Sequence, residues 1–242
     1  MKIAIFSDIH GNLEALQSIV ESWDELWVLG DLVNYGPNPV EVVDFVRRNA
    51  ALAVRGNHDH AVGAAEDPRC SAAFREMAQA MKGYTESLLS DDQKAYLRRL
   101  PITAQRAVGG QRYFLCHAVP SDPLYRYCPA DPALWKPEAA AANADVVLAG
   151  HTHLPFVMNL GARRVVNPGS VGQPKHGAPE ACYAIWEDGV LSLRSCRYPV
   201  EKTVRKVLGL PLDLRIRRQL ADVLATGLSP GDLARRCDYG IQ

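Results

Sequence analysis

The sequence has no pair of cysteines at C-x-x-C spacing, no long apolar run and no excess of charge of either sign. Each absence removes a class of protein. Without C-x-x-C, the six cysteines (70, 116, 128, 182, 196 and 237) supply neither a zinc ribbon nor a thioredoxin-type motif. A chain of 242 residues with 48% apolar content buries a core without disulfide staples. Reduced thiols and a cytoplasmic location are therefore expected. The apolar start, residues 3–7, meets an acid at Asp8 and is too short for a signal-peptide core. No stretch approaches a membrane span, so no membrane partner is expected. Lys plus Arg and Asp plus Glu are both 27, a formal net charge of zero. That speaks against extended nucleic-acid binding, which uses a broad basic surface. Repeats, low-complexity tracts and flexible linkers are also absent. One domain over 1–242 is expected, with a core to 197 and a mostly helical, more basic extension over 198–242.

What is there is strand alternating with helix. Apolar runs at 3–7, 26–29 and 51–54 end at Asp8, at Gly30-Asp31 and at Arg55-Gly56-Asn57-His58. Helical spacing follows the first run (Leu13, Leu16, Ile19) and the second (Val42, Val43, Val46). This is the signature of a parallel sheet with crossover helices. Residues 70–99 read as helical, with Ser90 and Gln93 fitting a capping box. Strand-like pieces then follow at 101–108, 112–116, 145–149, 155–160, 163–167, 181–187 and 190–197. Gly109-Gly110, Gly161-Ala162 and Asp188-Gly189 mark hairpins among them. The Pro-rich stretch 118–138 reads as a long loop, and Ser229-Pro230 as the start of a last helix.

The polar residues at the run ends form a set: Asp8-Ile9-His10, Gly30-Asp31, Gly56-Asn57-His58-Asp59, Cys116-His117 and Gly150-His151-Thr152-His153. In an extended segment, residues two apart share a side, so Asp8 with His10, and His151 with His153, are each expected to converge. Five of the seven histidines lie at these ends. One such histidine is more often a hydrogen-bonded structural residue. Five at equivalent places, with two aspartates and an asparagine, point to metal. Mixed carboxylate, imidazole and amide donors suit a divalent transition metal, and so many donors exceed one tetrahedral ion but suit two.

Softer candidates flank this set. Asn12 could bind phosphate, though helix capping is the stronger reading. Arg55 could meet a phosphate or make a strand-end salt bridge. Tyr35, with Asn34, lies in a turn near Asp31 and is a candidate pocket wall. Tyr125, Arg126 and Tyr127 could face a base or a phosphate, or be an ordinary packed loop. Cys116 reads as a small buried apolar residue; His176, next to Lys175, could reach a phosphate, with a solvated loop as the default reading.

The five blocks, in this order, resemble the calcineurin-like metallophosphoesterase family, whose pattern is D-x-H, G-D, G-N-H-[DE], a lone His and G-H-x-H. No ligand position departs from it. Ser7-Asp8-Ile9-His10-Gly11-Asn12, Tyr35-Gly36-Pro37-Asn38-Pro39 and Asn167-Pro168-Gly169-Ser170-Val171 are similar to its small bacterial and archaeal YfcE-like phosphodiesterase branch. The likeness runs from residue 1 to about 197 and leaves out the tail.

The resemblance implies an α/β fold: a four-layer α/β/β/α sandwich of two mixed β-sheets flanked by helices. It implies one metal ion on Asp8, His10, Asp31 and His153, and a second on Asp31, Asn57, His117 and His151, with Asp31 bridging. The two divalent ions would be Mn, Fe, Zn or Ni, with Mn favoured. A hydroxide held between ions about 3.5–4 Å apart would attack phosphorus. His58, not a ligand, would stabilise the transition state or protonate the leaving oxygen. Asp59 would orient an imidazole or cap the segment after it. The expected activity is phosphodiesterase or phosphatase action on a small phosphorylated substrate, nucleotides among the candidates. A protein phosphatase and a non-catalytic scaffold of the same fold are the alternatives. The oligomeric state is left open.

Overall fold

The computed structural model describes residues 1–238. The chain begins with β1 (Lys2–Phe6), α1 (Leu13–Gln17), β2 (Glu25–Val28), α2 (Pro39–Asn49) and β3 (Ala50–Ala53). Then come α3 (Asn57–Ala64), α4 (Ala72–Leu88), α5 (Asp91–Arg99), β4 (Thr103–Val108), β5 (Gln111–Cys116) and α6 (Pro132–Ala141). Next are β6 (Val146–Leu148), β7 (Phe156–Leu160), β8 (Arg163–Asn167), β9 (Glu180–Glu187) and β10 (Val190–Arg197). The tail folds as α7 (Val200–Leu208), α8 (Leu214–Thr226) and α9 (Pro230–Asp238). Its last four residues, 239–242, also expected to be helical, lie outside the described residues.

The strands make two mixed five-stranded sheets, in the orders β10-β9-β1-β2-β3 and β4-β5-β6-β8-β7. β1, β2 and β3 are parallel, as the strand–helix alternation requires, while β9 and β10 join antiparallel at one side. The three glycine-marked hairpins close β4–β5, β7–β8 and β9–β10.

The pleat sorts the core into layers. In β1, Ile3 and Ile5 face the second sheet and pack with Trp27, Leu29, Tyr113, Leu115 and Leu148. Ala4 and Phe6 point the other way, into Leu16, Val42, Val46 and Leu97 of the helices. On the outer face of the second sheet, Val147 and Val165 bury against Trp135 and Ala139 of α6. The result is helix, sheet, sheet, helix. Each fully buried Ile, Leu or Phe contributes roughly 1.5–3 kcal/mol of transfer free energy to holding the sheets face to face.

One expectation needs correction, and one helix was not foreseen. The last third of the expected loop at 118–138 is helical, residues 132–138. Asp131 caps α6 by accepting from the Ala133 N–H, Pro132 opens its first turn, and Trp135 anchors it to the sheet. A proline-rich stretch reads as loop, but proline at the first helical position is compatible with a helix. The second surprise is α3, which starts at Asn57 inside the ligand set. The Asn57–Ala64 segment has too little apolar periodicity to announce a helix.

Candidate metal centre

The carboxyl ends of β1, β2, β5 and β6, the loop after β3 and the turn after β6 meet at one edge of the sandwich. β1 ends at Phe6, so Asp8 and His10 lie beyond the extended segment. They converge by another route than strand alternation. Asp8, His10, Asp31, His151 and His153 all have left-handed backbone, with φ between 47° and 66°. Such φ values are unusual for residues with a side chain and mark a site where tertiary structure holds local strain. Backbone bonds hold the turns: His10 N–H to Asp31 O at 2.9 Å and Gly172 N–H to Asp8 O at 3.0 Å.

Two donor groups result. Asp8, His10 and His153 form one, and Asp31, His117 and His151 the other. Asp31 Oδ2 lies 3.7 Å from His10 Nε2 and 3.2 Å from His117 Nε2, between the groups. Asn57 Oδ1 is 3.1 Å from His117 Nε2, and Asn57 Nδ2 donates to Pro68 O, which fixes which end of the amide faces the site. All seven expected ligands are thus brought together. All are buried except His151, which is partly exposed.

The outer nitrogens decide what the inner ones can do. His10 Nδ1 bonds Val33 O, His117 Nδ1 bonds Leu29 O, His153 Nδ1 bonds Gln173 O and His151 Nε2 bonds Tyr125 O, at 2.6–3.2 Å. A carbonyl only accepts, so each imidazole has its proton on the outside and turns a lone pair inward. The inward nitrogens face each other at 3.2 Å (His10–His153) and 3.1 Å (His117–His151). Two lone pairs at that distance repel unless a cation lies between them. Asp8 Oδ1 is also buried without a hydrogen-bond partner among the described residues. The donor set therefore fits divalent metal ions.

Electrostatics agree. Burial would raise the Asp31 carboxyl, but His117, His58 and His10 outweigh it and hold it well below the carboxylate range. Burial pushes His151 down to about 3 and lowers His10 and His153 too, so these imidazoles are neutral near pH 7. His117 goes the other way: burial lowers it, but Asp31 and Asp8 push it up to about 9. The carboxylates draw a positive charge to this spot, and a proton supplies it where no metal ion does.

His58 sits apart from the donors, at the start of α3. Its Nδ1 receives a 2.6 Å hydrogen bond from Asn34 Nδ2, which also donates to Ala78 O. His58 Nε2 therefore carries the ring proton and points to the cleft, 3.5 Å from Cys70 Sγ. Asp59 is a cap and makes no hydrogen bond to an imidazole among the described residues: its carboxylate accepts from the N–H groups of Gly56, Asp31 and Leu32 at 2.8–3.0 Å and of Val33 at 3.4 Å. It ties the β2 turn to the first turn of α3.

The cleft above the donors has a volume of about 370 Å³. Tyr35 lines it, edge-on to His10 and His58 at 4.9 and 4.8 Å between ring centroids. Tyr125, Tyr127, Arg69, Phe74 and Lys175 form other walls, and Ser229 at the head of α9 brings the tail to the rim. Buried Glu138 secures the tyrosine loop by accepting from Ser121 N, Ser121 Oγ and Arg126. Arg126 is thereby held away from any substrate.

Two sequence candidates are not brought to the cleft. Asn12 is fully buried; it caps α1 through Ala15 N–H and bonds Gly172 O and Thr203 Oγ1. Its capacity is filled inside the protein, so the capping reading holds and the phosphate reading does not. Arg55 donates to Arg98 O on α5 and makes neither the salt bridge nor a cleft contact. His176 lies beside Cys182 and not in the cleft. Two residues were passed over: Asn34 as the partner of His58, and Lys175 as a cleft wall. The only signal for Lys175 is a cation in the loop after Asn167-Pro168-Gly169-Ser170, which returns to the end of β1.

Residues 1–188 match the model of the calcineurin-like phosphoesterase superfamily domain. The Escherichia coli phosphodiesterase YfcE is 32% identical over 213 residues, 80% of this chain and 91% of that protein. A symmetrical bis(5'-nucleosyl)-tetraphosphatase of Aromatoleum aromaticum is 31% identical over 168 residues, 66% of this chain and 56% of that protein. Among solved structures, a metallophosphoesterase from Sphaerobacter thermophilus aligns with a TM-score of 0.79 at 28% identity, covering 92% of this chain and 99% of that one.

Proposed function

The chain belongs to the calcineurin-like phosphoesterase superfamily and is a metal-dependent hydrolase of phosphate esters, and we infer that it works through two divalent ions on a small, nucleotide-like ester. One ion would be held by Asp8, His10, Asp31 and His153, and the other by Asp31, Asn57, His117 and His151. The observation that carries this reading is the pair of imidazole contacts, His10–His153 and His117–His151, with every outer nitrogen bonded to a carbonyl. Bound there, two ions would supply Lewis acidity, polarising the phosphoryl group and making a water nucleophilic near neutral pH.

The chain's own residues do the rest. Asn34 holds His58 in the tautomer that presents Nε2–H. That proton is available to the oxygen of the departing group as charge develops on it. Tyr35 packs against both His10 and His58 and keeps their rings from turning. The walls enclose a volume suited to a small ester. The named activities of the relatives, a phosphodiesterase and a dinucleoside tetraphosphatase, support small phosphate esters as the class. Mn is the first ion to test, since oxygen and nitrogen donors accept it.

The test is metal analysis with a panel of mono- and diesters, cyclic nucleotides and dinucleoside polyphosphates, run with Mn²⁺. Close to two ions per chain and turnover that collapses in His58→Ala are expected. No turnover on any of these esters would sink the reading.

A further inference from the structure

The cleft contains two cations that the metal centre does not use. Lys175 is partly buried in its wall, with Nζ 4.2 Å from the Phe74 ring centroid. Arg69 lies in the same wall, its guanidinium stacked on Tyr125 at 4.4 Å. Neither makes an ion pair among the described residues. Every other arginine of the cleft region is engaged: Arg126 with Glu138 and Arg55 with Arg98 O. Asp31 is the one carboxylate in the lining among the described residues, and it belongs to the donor set. The rest of the wall is hydroxyl, thiol, amide, imidazole and aromatic.

A lysine held on an aromatic face inside a cleft, with no carboxylate beside it, has lost water without gaining a counter-charge. Burial lowers its pKa, to about 8, against the pull of Asp8 and Asp31. It still bears its charge at neutral pH. Arg69 has left-handed backbone, φ 54°, and its N–H is tied to Asp67 Oδ1, so its place at the cleft is set by the loop and not by chance of rotamer. Stacking on Tyr125 leaves the edges of the guanidinium free to donate, the geometry that meets phosphate oxygens in pairs. Cys70, whose thiol His58 Nε2 faces, lines the same cleft. The two cations thus share with His58 the cleft into which the leaving group would project.

We propose that Lys175 and Arg69 form a second anion subsite, so that the ester this protein takes carries a further phosphoryl group beyond the one that reaches the donor cluster. The proposal rests on the phosphohydrolase reading above and specifies its substrate class. A second phosphoryl group would give Lys175 the counter-charge it lacks and Arg69 a bidentate acceptor. Tyr127, 57% exposed at the rim, offers an aromatic face to the rest of the substrate.

The experiment is calorimetric binding to the Mn²⁺-loaded protein of two probes: adenosine 5'-monophosphate and adenosine 5'-(α,β-methylene)diphosphate, whose P–C–P link resists cleavage. The diphosphate should bind about tenfold or more tightly than the monophosphate, the worth of one or two charge-assisted hydrogen bonds. In both Lys175→Met and Arg69→Met that ratio should fall about tenfold, towards one. A ratio unchanged in either variant overturns the subsite, as does a native protein that does not distinguish the probes. Loss of affinity for both probes by the same factor also overturns it, since the cations would then serve the reacting phosphate. Because binding is read without turnover, a protein that hydrolyses no ester fails the parent reading and not this one. Arg69 is exposed, so its variant keeps the test open if Lys175→Met does not fold.

Discussion

Asn34 Nδ2 lies 2.6 Å from His58 Nδ1, and Ala78 O fixes the amide so that only its donor end can face the ring. A neutral amide orients an imidazole without supplying charge to it. His58→Ala should lower kcat by about 10²–10⁴-fold, the usual contribution of a positioned proton donor. Asn34→Leu leaves the ring present but free to turn, and should lower kcat by roughly tenfold with little change in KM. Steady-state kinetics on p-nitrophenyl phosphate separate the two, and equal losses would mean that Asn34 does more than orient the ring.

Metal loading should depend on pH through His117. Its folded pKa is raised to about 9, so the metal-free protein holds a proton there at neutral pH. That proton must leave before the imidazole can act as a ligand. Apparent metal affinity should therefore rise about tenfold per pH unit from pH 7 and level off near 9. His151, at about 3, and the lowered His10 and His153 add no dependence in this window. Titration calorimetry at pH 7 in buffers of different ionisation enthalpy should find about one proton released, and none would exclude His117 as a ligand.

Removing the ions should loosen the fold at the site. The facing lone pairs of His10 and His153 and the carboxylates of Asp8 and Asp31 repel once no metal ion separates them. A ligand at a hundredfold excess over its Kd stabilises by about 2.7 kcal/mol. For a chain of this size that corresponds to about 5–10 °C in Tm. Thermal melts with and without chelator check this, and Asp31→Asn should abolish most of the difference.

Gly56 is needed for room. A Cβ there would clash with Asp31 Oδ1 and with Asp31 N. Gly56→Ala should therefore displace the Asp31 carboxylate, which would bridge the two proposed ions, and cut metal content to at most one ion per chain. Metal analysis on protein that keeps its far-UV circular dichroism is the readout, and full occupancy would show that the turn yields at little cost.

The kinds of residue at the site, and their order, were legible because each ligand follows an apolar run, and run ends gather at one edge of a sheet. How they converge was not. Strand alternation suggested Asp8 with His10 and His151 with His153, but left-handed backbone brings them together. That conformation is imposed by bonds such as Gly172 N–H to Asp8 O, which join residues far apart in sequence. Asp59 likewise offered two readings by composition, and only its four backbone partners chose capping.

The sequence by itself determined the alternation of strand and helix, the hairpins and the chemical kinds of the candidate donor residues, because these follow from local periodicity, turn chemistry and side-chain type. The tertiary structure alone decided which nitrogen of each histidine faces inward, since a carbonyl from another strand or loop holds the opposite one. It alone placed Lys175 and Arg69 in one cleft without a counter-charge, and kept Asn12 and Arg55 out of it. Protonation, orientation and pairing depend on neighbours distant in the chain, and those neighbours exist only once the two sheets have packed.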